Sequence, residues 1–370
     1  MVEYERTLRK MSVGDILDYS LEVYKKDFKK LTLLALIFYV PFMVLYTAVV
    51  SYVSGELLNS AEVKGATVFH SFHFLKSFSG LAVFGANGIN RYPGSPGEFT
   101  YMLLAYYLVL LLVSLVYFAY TITLKPVMDT AIIKIVYADV VYGREQGLKE
   151  TVREAFKRFP RLVANRLLYG LIVFGAFLGV YILFIVFFVV LLLSSSAWLL
   201  SGVFSRPAGP VGNVALAMGI SVVVLVVIMA MGLFVAFFAL KFGFGLQAVV
   251  IENKGAVEGL SRSWRLTGKN FWHILFSSLF GALLFFTVPA LLSAGVSVLI
   301  EVNKALYTLL ATVVQVVASL AYPYLTVLMT MVFINLKIKK EGLDLEVKVD
   351  KLLEAQQAEE QKGLELENGE

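Results

Sequence analysis

Six stretches of this chain, residues 31–53, 101–124, 167–193, 211–240, 274–300 and 305–336, are almost free of charge and long enough to cross a bilayer. A helix needs roughly 20 apolar residues to span about 30 Å of hydrocarbon, and no soluble core needs runs of that length. Inside hydrocarbon a backbone must satisfy its own polar groups, which leaves helices as the spanning element for runs of this kind. The expected class is therefore all-α, a polytopic membrane helix bundle with six transmembrane helices. The third run continues to about Leu200 and the sixth is also long, so those helices tilt, kink or project beyond the bilayer.

Composition agrees. Of 370 residues, 59% are hydrophobic and 16% charged, against roughly 25% charged in ordinary soluble domains. The chain has no cysteine, which excludes disulfides and thiol chemistry. No cleavable signal peptide is expected: the first 30 residues form a charged amphipathic helix, and the run behind them exceeds a signal's apolar core. The net charge of +5 is distributed as for a membrane surface rather than a nucleic-acid partner.

All 32 Lys and Arg lie outside the six apolar runs. The two termini and the 125–166 and 241–273 connections hold 27 of them, and the three opposite loops hold 5. The positive-inside rule then places both termini in the cytoplasm of a multi-pass protein of the cell membrane.

Three charged segments precede pairs of spans and share one plan: a short amphipathic helix bending into the membrane, an elbow. In the third, Gly255 supplies the bend and Gly268 the end; Val257, Leu260, Trp264 and Phe271 share one side, with Glu258, Arg262, Arg265 and Lys269 on a neighbouring stripe. In the first, Val13, Leu17, Leu21, Tyr24 and Phe28 share a face. In the second, Leu148, Val152, Ala155, Phe156 and Phe159 do so, while Lys149, Arg153 and Lys157 turn away. Tyr24, Phe156 and Trp264 occupy matching places, each followed by a basic residue and a long apolar run. Such helices suit the membrane–water boundary, where aromatic rings sit in the acyl margin and cations meet phosphate head groups. Arg153, Lys157, Arg158, Arg262, Arg265 and Lys269 are the expected head-group ligands; Tyr24, Phe156, Phe159, Trp264 and Phe271 are the expected anchors.

The domain reading is one membrane domain, 1–345, of three pseudo-repeats at about 12–145, 146–254 and 255–345, each an elbow plus two spans. A polar, disordered cytoplasmic tail, 346–370, follows. Residues 54–100 form an external loop whose apolar middle, 78–89, is too short to cross.

Three segments carry a family resemblance: MSVGDILDYSLEVYKKDFKKL, VVIENKGAVEGLSRSWRLTGKNFWHIL and INLKIKKEGLDLEV. They resemble the glycerophosphoryl diester phosphodiesterase membrane-domain family and its uncharacterised prokaryotic relatives. Glu252, Asn253, Gly255, Ala256, Glu258, Ser263, Trp264, Arg265, Leu266, Asn270 and Phe271 stand where that family has them, whereas Asn335 replaces its usual Asp. In some members the membrane region precedes a catalytic barrel. Such a barrel needs about 250 residues, and about 34 follow the last apolar run here, so the resemblance implies the membrane module without the phosphodiesterase activity.

No catalytic motif is apparent, and the chain is not expected to be an enzyme or to hold a cofactor. His70 and His73 form H-x-x-H in the external loop without a third ligand at metal spacing, so no metal is expected. His273 reads as an interface residue. Coupled transporters keep an ionisable residue near the midplane; all 27 acids lie outside the apolar runs, the nearest being Asp129 and Asp139 on a continuation of span 2 expected to emerge into cytoplasm. Gln315, Ser319, Tyr322, Ser277 and Ser278 read as helix-packing groups, and Gly175 and Gly179 as a G-x-x-x-G contact. Pro41, Pro289 and Pro323 are expected kinks. The expected function is a scaffold or accessory subunit whose basic elbows contact anionic lipids or a protein partner, with no nucleic acid; a lipid or amphiphile handler is the alternative, an ion-coupled transporter is less expected, and an intrinsic enzyme the least. A homo-oligomer has no support beyond the glycine spacing.

Overall fold

A computed structural model describes residues 9–46, 96–200, 210–297 and 304–349, together with 49, 352–353 and 356–357. His70, His73 and the 78–89 segment lie outside the described residues. Among the described residues all regular structure is helical, with no strand. The helices are α1 (Val13–Lys26), α2 (Phe28–Phe38), α3 (Pro96–Ile122), α4 (Leu124–Tyr137), α5 (Leu148–Lys157), α6 (Phe159–Leu200), α7 (Pro210–Phe242), α8 (Gly245–Ile251), α9 (Ala256–Thr267), α10 (Phe271–Ser297), α11 (Lys304–Ala321) and α12 (Pro323–Glu341). A π-helical turn, Ala138–Tyr142, prolongs α4, and a 3₁₀ turn, Gly268–Asn270, joins α9 to α10.

Among the described residues five stretches are long and apolar enough to cross a membrane: Leu104–Tyr142, Phe159–Phe187, Val222–Ile251, Ala256–Val296 and Leu309–Glu341. A sixth is counted if α2 and the short helix Val40–Tyr46, bent by 42°, form one span. The bend falls at Tyr39, two residues before Pro41. Proline lacks the amide that would continue the ladder and crowds the preceding turn. Thr123 before Pro126 and Tyr322 before Pro323 mark the same kind of break, whereas α10 runs unbroken through Pro289.

The chain divides into two compact units, one of Met1–Val163 with Phe276–Glu370, the other of Ala164–Leu275. In the first, α4 and α12 are the core: Met128, Ile132 and Val136 of one and Val327, Met331 and Phe333 of the other are fully buried. Around them Leu112, Leu283 and Leu309 are more than half exposed, as lipid-facing side chains must be. Asp129 does not emerge into solvent as expected. It is 2% exposed within α4 and accepts a hydrogen bond from Thr326 Oγ1 of α12 at 2.9 Å. The physical reason is that α4 is enclosed by other helices, so its exit from the apolar run is not an exit from protein.

Aromatic rings fill the seam beside that core. Tyr39 stacks on Tyr322 at 4.4 Å, Phe42 on Tyr120 at 4.0 Å, and Lys125 Nζ lies 5.2 Å from the Tyr322 ring centre. Of the expected packing hydroxyls, Ser278 crosses from α10 to Met329 Sδ of α12 at 3.6 Å, while Ser319 turns back to its own helix at Gln315 O. Past Gly342, residues 343–349 are helical, with Leu343 and Val347 buried.

In the second unit, α8 is buried along nearly its whole length and α9 lies against it. A Cβ at Gly259 would lie 2.6 Å from Val249 Cγ2 and 2.8 Å from Gly245 O, and one at Gly245 would lie 2.8 Å from Leu260 Cδ2. These glycines set the spacing of the pair. Gly175 and Gly179 do nothing comparable: among the described residues a Cβ there would meet nothing within 4 Å.

Candidate membrane-interface site

The three elbows are α1, α5 and α9. Ser12 caps α1, its Oγ accepting from Asp15 N at 3.2 Å while Asp15 accepts from Ser12 N at 3.0 Å. This reciprocal pairing satisfies two amides at a helix start, and it holds the Asp15 carboxyl below the usual carboxylate range. Glu258 reaches back to Gly255 N at 3.1 Å at the start of α9. Gly255 itself has φ −68°, open to any residue. The left-handed residue of that bend is Asn253, at φ +53°. Among the described residues three have positive φ, and each closes a buried helix: Gly143 after α4 and its π turn, Asn253 after α8, Gly342 after α12.

Each elbow packs on one of those buried helices: α1 on α12, α5 on α4, α9 on α8. At three consecutive positions the elbows behave alike. Val23, Ala155 and Ser263 are buried; Tyr24, Phe156 and Trp264 are half-buried or exposed; Lys25, Lys157 and Arg265 are exposed. The next helix then begins in each case with a phenylalanine: Phe28, Phe159 or Phe271.

On α9 the inward face mixes Gly259, Ser263 and Thr267 with Leu260 and Leu266. Ser263 Oγ donates to Lys241 O at 2.7 Å and accepts from Phe244 N at 3.1 Å, so it ties together the break between α7 and α8. Asn165, 1% exposed, donates to Ala256 O at 2.9 Å. Leu260, expected beside Trp264, turns inward over Gly245, while Val257 and Trp264 remain 67% and 41% exposed. Lys241 is buried at the end of α9, donating to Gly268 O at 3.3 Å and lying 4.8 Å from the Trp264 ring centre. A cation at a helix C-terminus and on an indole face is favoured on both counts.

The expected ligands separate into two kinds. Arg262 is engaged within the protein: Nε donates to Glu252 Oε2 at 2.8 Å and Nη2 to Oε1 at 2.9 Å. Arg153, Lys157, Arg265 and Lys269 are exposed and Arg158 is half-buried. Of the anchors, Trp264 and Phe156 are exposed and Tyr24, Phe159 and Phe271 half-buried; Trp272, at 62% exposure, joins them. Phe271 and Trp264 both pack against Phe237, at 5.3 and 6.1 Å. His273 is half-buried.

At the first elbow, Lys26 Nζ donates to Asp139 Oδ1 at 2.5 Å, which raises the Lys26 pKa. Asp27 between α1 and α2 is largely buried, and burial pushes its carboxyl up although Lys30 Nζ lies 3.3 Å away. At the second elbow, Lys134 pairs with Glu154. Among the described residues no group of three His, Cys, Asp or Glu is arranged to hold a metal.

Asn165, Lys241 and the role of Ser263 were not read from the sequence. Lys241 carries a signal in principle: it is the first charge after about 30 apolar residues. Asn165 carries none.

The helix break with its serine clip, the left-handed Asn253 and the elbow α9 all fall within one sequence match. Residues 213–363 match the family model for the membrane domain of glycerophosphoryl diester phosphodiesterase. The match takes in the middle and closing blocks of the resemblance; the opening block lies before it. What the family description names is a membrane domain, and the all-helical spans agree with it. No curated protein and no solved structure matches the chain.

Proposed function

We propose that this integral membrane module is non-enzymatic, a scaffold or accessory subunit of the cytoplasmic membrane whose elbows rest at the membrane–water boundary and bring anionic head groups or a partner to a basic face. One observation carries the reading. The side of α9 away from α8 presents Trp264 and Arg265 together, and Lys269 and Trp272 follow as the chain turns into α10. An indole and a cation exposed side by side, about two turns before an apolar span, match the acyl margin and the phosphate layer. The same pairing recurs as Phe156 with Lys157 and as Tyr24 with Lys25, which supports a threefold internal repeat. The charge distribution supports cytoplasmic elbows and termini.

The test is native mass spectrometry of the gently extracted protein beside Arg265→Glu/Lys269→Glu. The expected result is anionic lipid carried by the parent and lost from the variant. Equal lipid on both would reject the head-group role. The second reading, an amphiphile handler, is favoured by the α2–α3–α12 seam, where the buried hydroxyl of Tyr120 has no hydrogen-bond partner among the described residues. A single amphiphile retained in fixed ratio, and lost on Tyr120→Phe, would select that reading.

A further inference from the structure

The helix after Gly342 leaves a stripe of apolar side chains uncovered by the rest of the chain. Leu343 and Val347 anchor it to the body, yet Leu345, Val349 and Leu352 are 64%, 53% and 66% exposed. Their spacing, i, i+4 and i+7, is one face of a helix. The chain around and beyond this stripe is acidic: from Asp350 to Glu370 it carries seven carboxylates and two lysines, Lys351 and Lys362. An anionic bilayer repels such a segment, so the membrane is a poor cover for the stripe.

The complementary surface lies in the same unit. On α5, Lys149, Arg153 and Lys157 are exposed beside Phe156, itself 47% exposed. Helix α12 packs on α4 and α4 packs on α5. The tail therefore starts from a helix one neighbour removed from this elbow, and its 21 residues extend to about 70 Å, enough to cross two helix spacings of about 8–10 Å each. Tethered at that range, the tail meets the face at an effective concentration of order millimolar.

We propose that the acidic segment 350–370 docks on the basic face of α5 and competes there with anionic lipid head groups. The docked tail sets its carboxylates against Lys149, Arg153 and Lys157 and its Leu352–Leu353 edge against Phe156. The elbow is thereby masked in neutral membrane and released where anionic lipid is abundant. The competition rests on the head-group reading of the elbows; the docking does not.

The cysteine-free chain allows a clean test. Lys157→Cys and Glu359→Cys are combined in the full-length protein, and disulfide formation is followed in nanodiscs with copper–phenanthroline and dissolved oxygen as the oxidant. In pure phosphatidylcholine discs the pair is expected to cross-link, and to slow at least about threefold at 1 M salt, where the Debye length falls to about 3 Å. Adding Glu360→Lys, Glu365→Lys and Glu367→Lys is expected to slow it likewise. No cross-link, or one indifferent to salt and tail charge, overturns the docking. Phosphatidylglycerol in the discs is expected to suppress the cross-link. A salt-sensitive cross-link that persists there keeps the docking and overturns the competition, and with it the head-group reading of α5.

Discussion

Arg262 and Glu252 meet end to end, guanidinium fork on carboxylate, across the bend that joins α8 to α9. Both side chains are largely enclosed, at 17% and 12% exposure. The pair holds the elbow against the buried helix it grows from, and this changes what Arg262 is for. Arg265 and Lys269, one and two turns on, are exposed.

Removing one partner of an enclosed pair strips the other of its close charge; for Glu252, Lys254 remains at 3.8 Å. Arg262→Ala should therefore destabilise the protein by about 3 kcal/mol. Glu252→Ala should cost a similar amount, and the double variant less than the sum. Arg262→Lys keeps the charge but loses the two-pronged geometry, and should fall between parent and alanine. Thermal unfolding in detergent, run as a double-mutant cycle, checks all three; additive losses would mean the pair is not coupled.

Asn253 holds the bend in a left-handed conformation at φ +53°. Asparagine tolerates this region and glycine occupies it without cost, while a β-branched residue is strained there. Asn253→Gly should match or exceed the parent's stability, and Asn253→Val should lose about 1–2 kcal/mol. Equal stability in the two variants would contradict the assigned backbone.

The glycines give a paired prediction. Gly259→Ala puts a methyl against Val249 and the Gly245 carbonyl, and overpacking of this kind costs about 1–3 kcal/mol. Gly175→Ala meets open space within the chain and should leave stability unchanged or slightly raised. Unfolding midpoints of the two variants in the same detergent test the contrast.

Asp27 gives a pH signature. Burial raises its folded carboxyl pKa above the unfolded value, so the folded state binds this proton more tightly. Its contribution to stability is therefore least favourable at neutral pH and improves as pH falls through the folded pKa. Asp15 has the opposite sign: its pKa is lowered by the Ser12 cap, and its contribution is lost as pH falls through that value. Comparing Asp27→Asn with the parent across pH 3–8 isolates the first effect. The variant should be the more stable at pH 7, with the advantage shrinking toward acid; a constant difference would assign it to something other than titration.

The legibility of this fold in its sequence follows the physics of each feature. Apolar runs and charge asymmetry act over tens of residues and can be counted, so the spans and elbows are visible in the chain. The direction of a side chain on a short helix is harder. Leu260 and Trp264 lie one turn apart on α9, yet Leu260 points to Gly245 and Trp264 to the outside. Periodicity puts them on one face; the close approach allowed by Gly245 and Gly259 rotates that face apart. Arg262 looked like a surface cation because its partner, ten residues earlier, becomes adjacent only once the bend at Asn253 forms. Asp129 looked solvent-bound because nothing local reports that α4 is enclosed by other helices.

The central claim is that the outward face of α9 lies in the membrane–water boundary. Spin labels at Val257→Cys, Trp264→Cys and Arg265→Cys, in the otherwise cysteine-free protein in lipid nanodiscs, measure it directly by relaxation from lipid-dissolved oxygen and from a water-soluble nickel chelate. The account predicts oxygen-dominated relaxation at 257 and 264 and mixed relaxation at 265, with depths near the phosphate layer. Nickel-dominated relaxation at all three sites would place α9 in bulk water and contradict it.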